Sequence, residues 1–239
     1  MLGATGALGQ ELVPLLTRAG ATVLLSGRRR ERLGAMVEAS GAWAGVAGDL
    51  GSRAVRQRLY EAALAAGRLD AIACLIGEAQ MGAFAGLSDA QALRLLRANL
   101  AIPMLAVKSL LPLMLRHKAG RICLVSSVWG YQPASGEVAY SAAKAGLIGF
   151  GRALAEELAP SQILVNVLAP AAFVSPMLAQ FSAADLEALA ARQGGHLLSA
   201  RTVARRILHL LDPDLRISGR LVRVGRIGPT PEESPGPTP

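Results

Sequence analysis

The sequence predicts an α/β fold in which one doubly wound parallel sheet carries helices on both of its faces. Short apolar runs rich in β-branched residues recur along the chain and are separated by longer helical patterns, which is typical of βαβ units. The runs are continuously apolar instead of alternating with polar residues, so both faces of each strand are expected to be covered. With 239 residues, 52% of them hydrophobic, the chain can bury one large core, and we expect one domain.

The strand-forming runs occur in a regular order along the chain. Residues 1–228 form the predicted domain. The Pro-rich segment 229–239 has almost nothing apolar to bury and is predicted to be a disordered tail. We predict strands over residues 21–26, 44–47, 72–76, 122–125, 163–169 and 221–224, with the helical patterns between them.

The start of the chain departs from this order. A glycine-rich turn begins at Gly3, directly after Met1 and Leu2, whereas a doubly wound sheet normally delivers such a turn from a central first strand about five residues long. The first strand is therefore truncated. Either translation starts upstream, which is the interpretation we favour, or the sheet lacks most of its middle strand and is destabilised.

Composition argues against several classes of function. No stretch reaches the roughly 18 uninterrupted apolar residues of a membrane-spanning helix and no signal peptide opens the chain, so we expect a cytoplasmic protein that does not bind membranes. Cys74 and Cys123 are expected to be buried, reduced thiols, the three histidines are scattered, and no metal site is predicted. The net charge of +8 comes mostly from dispersed arginines with few aromatic residues between them, which argues against nucleic-acid binding. A scattered basic surface and an anionic partner remain as alternative explanations of that charge.

The glycine-rich turn predicts a dinucleotide site of the Rossmann type. Gly3-Ala-Thr-Gly-Ala-Leu-Gly9 runs straight into the helical pattern of residues 10–18. Glycines let the backbone approach a pyrophosphate closely, and the start of the helix offers free N–H groups and the positive end of the helix dipole. The residues expected to contact the dinucleotide here are Gly3, Thr5, Gly6, Leu8 and Gly9.

The residue after the strand at 21–26 indicates which dinucleotide binds. Ser26-Gly27-Arg28 stands where an Asp or Glu would bind the ribose 2′-hydroxyl of NAD and repel a 2′-phosphate. Arg28 should attract that phosphate, so the predicted cofactor is NADPH; an exposed basic helix start is the alternative. Asp49 and Leu50, after the next strand, are expected to contact the adenine ring, although Asp49 would also suit a helix N-cap.

Four polar residues make a candidate catalytic group. Tyr140 and Lys144 lie one helical turn apart and project from the same face, so the ammonium can lower the phenol pKa while the tyrosine acts as proton donor. Ser127 follows the strand at 122–125, at the sheet edge where ligands bind, and can polarise a substrate carbonyl. Asn99 sits inside a helical pattern that does not favour it, which is explained if it holds a water that relays protons to Lys144.

In this order and at these spacings, the residues resemble the short-chain dehydrogenase/reductase (SDR) family over residues 3–224. The resemblance implies a catalytic tetrad of Asn99, Ser127, Tyr140 and Lys144, of which the tyrosine and the lysine also contact the cofactor. It extends the expected cofactor contacts to Gly77, Pro170, Phe173 and Ser175.

The chain departs from the family pattern in the turn that ends at Gly77. Cys74-Leu-Ile-Gly77 replaces the family's Asn-Asn-Ala-Gly, Ala171 replaces a glycine, and Leu2 and Ala7 stand where Thr and Gly are usual. These changes are expected to loosen cofactor binding while sparing the tetrad. They also motivate an alternative function, a cofactor-binding regulator or scaffold without turnover.

Within the family the chain resembles the classical 3-oxoacyl-[acyl-carrier-protein] reductases and, among them, the bacterial elongation factor P 5-aminopentanone reductases. The second resemblance rests on Trp129 and Glu137, which are expected to flank the substrate pocket. Glu137 could pair with the terminal amine of an aminoketone, or it could simply open the catalytic helix. The predicted activity is NADPH-dependent reduction of a ketone, carried by a small molecule, a carrier or a protein. The enzyme is expected to be a homodimer or homotetramer.

Overall fold

The computed structural model describes residues 1–132 and 134–228, so the predicted tail at 229–239 lies outside the described residues. One parallel sheet forms the centre of this part of the chain, and every strand pair in it is parallel. Its strands are β1 (Leu24–Gly27), β2 (Ala44–Ala47), β3 (Ala71–Cys74), β4 (Ala119–Val125), β5 (Gln162–Pro170) and β6 (Leu221–Val224).

Leu2 joins the sheet between β1 and β3. It forms parallel bridges to Ser26 on one side and to Cys74 on the other. Its N–H donates to the Ala73 carbonyl at 2.8 Å, and its own carbonyl accepts from the Leu75 N–H at 2.8 Å. The strand order is therefore β2-β1-Leu2-β3-β4-β5-β6, which confirms the predicted doubly wound sheet with a truncated first strand.

A cavity of about 390 Å³ lies beside Met1, along the path that a longer central strand would follow. Leu24, Leu59, Ile72 and Leu110 are among its lining residues. The terminal ammonium of Met1 donates to the Leu24 carbonyl at 2.6 Å, and burial lowers the pKa of this amine to about 6. The truncation thus leaves a void and a buried terminal amine in the middle of the sheet.

Helices cover both faces of the sheet, as the continuously apolar strands predict. On one face α1 and α8 pack on Cys123 and Val125 of β4, and on the other α3, α5 and α6 pack on Leu124. The helices are α1 (Ala7–Arg18), α2 (Arg30–Ser40), α3 (Arg53–Ala65), α4 (Asp89–Leu96), α5 (Ile102–His117), α6 (Val138–Glu157), α7 (Ala183–Arg192) and α8 (Ala200–Leu210).

Helices α4 and α5 are joined by a π-helical turn, Arg97–Ala101, into one continuous run. Within the described residues, the run Asp89–His117 alone has the length and apolar composition of a membrane-crossing helix. Val107, Leu110 and Met114 on its inner face are buried in the core, so packing on the sheet accounts for much of this apolar character. Its outer face leaves Met104 and Leu105 exposed.

Candidate active site

The glycine-rich turn connects Leu2 to α1 at the carboxyl edge of the sheet. Gly3 has a φ of +79°, which favours glycine, and a Cβ on Gly9 would lie 1.7 Å from the Ala4 carbonyl oxygen. A Cβ on Gly6 would meet nothing within 4 Å, because this glycine faces the open cleft. The turn is therefore tight where it packs and open where a ligand would approach.

A cavity of about 690 Å³ extends from this turn along the carboxyl ends of β1, β2 and β3. Its size and its backbone-lined floor fit a dinucleotide, the group that the sequence predicts here. Three predicted cofactor contacts do not line the cavity: Pro170, which ends β5, and Tyr140 and Lys144 of α6. The predicted cofactor residues that do line it are Gly3, Thr5, Gly6, Leu8, Gly9, Arg28, Asp49, Leu50, Gly77, Phe173 and Ser175.

Sequence reasoning missed several charged residues of the cavity, among them Glu78, Arg94 and Arg97. Glu78 directly follows the altered turn at Gly77, and the two arginines lie on the helical run that carries Asn99. Their closeness in sequence to Gly77 and Asn99 was the one signal that could have predicted them as site residues. Only the packing of this run against the cleft brings them into the site.

The ribose end of the cavity is basic. Arg28, Arg29 and Arg32 line it, and the side chain of Arg28 is 75% exposed at the end of β1. Asp49 accepts a hydrogen bond from the Gly51 N–H at 2.8 Å and pairs with Arg97 at 3.4 Å. It is not the N-cap of α3, since Ser52 occupies that position.

Tyr140 and Lys144 project together from the first turns of α6, and both are buried. The Lys144 Nζ atom lies 5.6 Å from the centre of the Tyr140 ring and donates to the Val125 carbonyl at 3.0 Å. Ser127 follows β4, and its hydroxyl accepts from the Trp129 N–H at 3.2 Å. The structure thus brings together three of the four predicted catalytic side chains at the end of β4.

Burial sets the charge state of this pair. It raises the pKa of Tyr140 above its usual value of 10, and the nearby Glu137 carboxylate adds to that rise, whereas a hydrogen bond with Ser127 opposes it. Burial lowers the pKa of Lys144 to about 8. In the chain without ligand, desolvation of the phenol therefore outweighs the hydrogen bond with Ser127. The lowering of the tyrosine pKa by Lys144 stays a prediction. Tyr140 is held as a neutral phenol, the form that donates a proton.

Asn99 lies in the π-helical turn and is fully buried. Its side-chain amide donates to the Glu78 carbonyl at 2.8 Å and to the Leu95 carbonyl at 3.0 Å, and its Oδ1 accepts from the Glu78 N–H at 3.1 Å. A Cβ on Gly77 would stand 2.9 Å from that Oδ1 and 3.1 Å from Lys144 Nζ. Asn99 therefore lies next to the lysine and clamps the backbone of Glu78.

Glu137 immediately precedes α6 and is only 6% exposed. Its side chain makes no capping hydrogen bond to the helix, and burial raises its pKa to about 7. Glu137 thus stands at the N-cap of α6, where a helix-opening residue is expected, but its side chain does not cap the helix. Trp129 is partly buried nearby in the chain, and the guanidinium of Arg192 in α7 lies 5.8 Å from the centre of its ring.

Comparison with known proteins identifies this arrangement. Residues 1–186 match the short chain dehydrogenase family. The chain belongs to that family. This short chain dehydrogenase is 32% identical over 186 residues to the 3-oxoacyl-[acyl-carrier-protein] reductase of Aquifex aeolicus, covering 75% of each chain. It is 40% identical over 122 residues to the uncharacterized oxidoreductase YmfI of Bacillus subtilis, a match that spans 51% of this chain and only half of that protein.

The fold of this short chain dehydrogenase is also found among solved structures. A crystal structure of a variant actinorhodin polyketide ketoreductase with NADPH superposes with a TM-score of 0.87 at 28% identity, and the match covers 93% of both chains. Family membership and these relatives identify the chain as an NAD(P)-dependent oxidoreductase that acts on CH–OH or C=O groups. Among the described residues no group of three His, Cys, Asp or Glu side chains could hold a metal ion.

Proposed function

We propose that the chain is an NADPH-dependent ketone reductase with Ser127, Tyr140 and Lys144 as its catalytic residues. One observation carries this proposal: the three side chains converge beside a dinucleotide-sized cleft whose glycine turn is open to a ligand. The basic end of the cleft, where Arg28 stands in place of an acidic residue, supports NADPH over NADH. When bound, the cofactor supplies the hydride.

The protein side chains manage the proton and the charge on the carbonyl oxygen. Tyr140, held neutral by burial, donates its phenolic proton to that oxygen as the C–H bond forms. The Ser127 hydroxyl donates a hydrogen bond to the same oxygen and stabilises its developing charge. Lys144, whose pKa is lowered to about 8, then carries part of the positive charge that stabilises the tyrosinate and helps its reprotonation. Asn99 keeps the turn at Gly77 in place beside the lysine.

We further propose an aminoketone as substrate, such as the 5-aminopentanone group on elongation factor P. Glu137 supports this choice because it is a buried carboxyl next to the proton donor, without a capping hydrogen bond or a salt bridge among the described residues. An ammonium on the substrate would supply the missing counter-charge. Trp129 would form an apolar wall of the same pocket. A substrate without a cation, such as a 3-oxoacyl thioester, would leave Glu137 uncompensated.

The test measures NADPH oxidation with acetoacetyl thioester and with aminopentanone-modified elongation factor P. Turnover on the modified protein that falls at least tenfold in Glu137→Gln supports the aminoketone. Turnover on the thioester that Glu137→Gln leaves unchanged or raises supports a carrier-linked ketone instead. NADPH binding without turnover on either substrate would favour the regulator function, which the altered turn before Gly77 and the truncated sheet motivate.

The partners follow from the same proposal. The exposed face of α5 carries Met104, Leu105 and Leu115, an apolar surface that would be covered in a homodimer or homotetramer. We expect the protein to act in the cytoplasm, where NADPH and carrier-linked or protein-linked ketones are present. A single-protomer mass in light scattering at micromolar concentration would contradict the oligomer.

A further inference from the structure

Glu78 places a carboxylate inside the cofactor cleft, next to the residue expected to bind the 2′-phosphate. Its Oε2 lies 3.7 Å from Nη1 of Arg28. Among the described residues, Arg28 has no other ion pair. The guanidinium that should attract a phosphate is therefore already paired with a carboxylate.

The carboxylate cannot easily leave this position. The buried side-chain amide of Asn99 donates to the Glu78 carbonyl at 2.8 Å and accepts from the Glu78 N–H at 3.1 Å. Oε1 of Glu78 lies 3.2 Å from Nη1 of Arg94 on α4, and the Glu78 side chain is only 21% exposed. The backbone of Glu78 is thus fixed by hydrogen bonds, whereas its Oε1 makes no hydrogen bond among the described residues and has Arg94 as its counter-charge.

The pair with Arg28 itself is weak. Its separation is long for an ion pair, and the Arg28 side chain is 75% exposed. Exposed pairs of this kind contribute little, so a doubly charged phosphate with bidentate geometry would displace the carboxylate from Arg28. The displaced carboxylate would stay close to the phosphate, because Asn99 and Arg94 still hold it.

We propose that Glu78 determines cofactor specificity by competing with the 2′-phosphate of NADPH for Arg28, which weakens the preference of this chain for NADPH over NADH. This inference rests on the proposed binding of NADPH. A cofactor with a ribose hydroxyl in place of the phosphate carries no such repulsion. Arg94 limits the effect, since its guanidinium neutralises part of the Glu78 charge.

The experiment measures dissociation constants of NADPH and NADH by cofactor fluorescence, without any substrate. Glu78→Gln keeps the backbone clamp and removes the charge, so NADPH should bind about tenfold more tightly while NADH changes by less than about threefold. Glu61→Gln is the matched control, because it removes the same charge from an exposed glutamate on α3 that accepts a hydrogen bond from Gln57. The gain for NADPH should shrink at high salt, since counterions screen the repulsion.

A second variant separates competition from a general change in the cleft. Arg94→Gln leaves the Glu78 charge uncompensated and should weaken NADPH binding, and adding Glu78→Gln in the same chain should restore it. The inference is overturned if the wild type binds NADPH and Glu78→Gln keeps the same NADPH-to-NADH ratio, or if Arg94→Gln weakens NADPH equally with and without Glu78. A wild type that binds neither dinucleotide overturns the proposed function, and this inference with it.

Discussion

Gly77 lies directly against the ammonium of Lys144. A Cβ on Gly77 would stand 3.1 Å from Nζ of the lysine and 2.9 Å from Oδ1 of Asn99. Both neighbours are buried and hydrogen-bonded to backbone carbonyls, so neither can move away at low cost. The turn after β3 thus leaves room for the Lys144 ammonium because Gly77 has no side chain.

Gly77→Ala is therefore expected to displace Lys144 and lower turnover about tenfold to a hundredfold. The change should appear in kcat more than in thermal stability, because the nearest contacts of the methyl group are the ends of two side chains, Asn99 and Lys144. Gly34→Ala on α2 is the control, since a Cβ there meets nothing within 4 Å. A kcat for Gly77→Ala equal to that of Gly34→Ala would show that the glycine does not position the lysine.

Tyr140→Phe removes the proton donor while keeping the ring. Turnover on a ketone should fall by about 10²–10⁴-fold, and NADPH should bind as tightly as before. Tyr60→Phe, on α3, is the matched control because its hydroxyl lies outside the cleft, near Arg116. An unchanged rate in Tyr140→Phe would remove Tyr140 from the mechanism.

Glu137 should make the unfolding free energy depend on pH. Its pKa is raised to about 7 in the folded chain, so the folded state binds more protons than the unfolded state between about pH 4.5 and pH 7. Its contribution to stability is therefore full below the unfolded pKa and is lost as pH rises through 7. In urea unfolding, the unfolding free energy of Glu137→Gln minus that of the wild type should increase by about 2 kcal/mol when the pH is raised from about 5 to about 8. An equal difference in unfolding free energy at both pH values would mean that the Glu137 carboxyl keeps the pKa of a carboxyl in water.

The cavity beside Met1 should accept added residues. An extension of four residues rich in valine, fused before Met1, would fill apolar space next to Leu24 and Ile72 and replace the buried ammonium by a peptide bond. The midpoint of thermal unfolding should rise by about 5–10 °C. A Gly-Ser extension of the same length replaces the ammonium but leaves the space unfilled, so it should stabilise less. Equal midpoints for the two extensions would show that the cavity does not take up a strand.

The outer face of α5 should mediate self-association. Leu105→Glu places a charge in the apolar surface shared with Met104 and Leu115, and the mass in light scattering should fall toward that of one protomer. Leu64→Glu, on the exposed face of α3, makes the same change elsewhere and should leave the mass unaltered. A drop in mass for both variants, or for neither, would place the interface elsewhere.

Local patterns were enough to predict most of the fold and of the site. The bounds of β2 and β6 match the predicted apolar runs residue for residue. The truncated first strand was also predicted, whereas the two bridges of Leu2 are a finding of the structure. The run at 21–26 becomes a strand only from Leu24, where its pairing with Ala44 of β2 begins. The glycine turn and the spacing of Tyr140 and Lys144 placed the cleft and the catalytic pair, since both depend on a few neighbouring residues of one turn or one helix.

The sequence by itself therefore determined the doubly wound sheet, the glycine turn and the proposed catalytic pair, because each arises from short-range periodicity or spacing. Only the tertiary structure decided how these groups are charged and what surrounds them. The Tyr140 pKa is raised and not lowered because the packed fold removes the phenol from water, and Glu78 meets Arg28 and Arg94 because three separate elements converge on one cleft. Burial and contacts between residues distant in sequence are properties of the packed chain, and no local pattern encodes them.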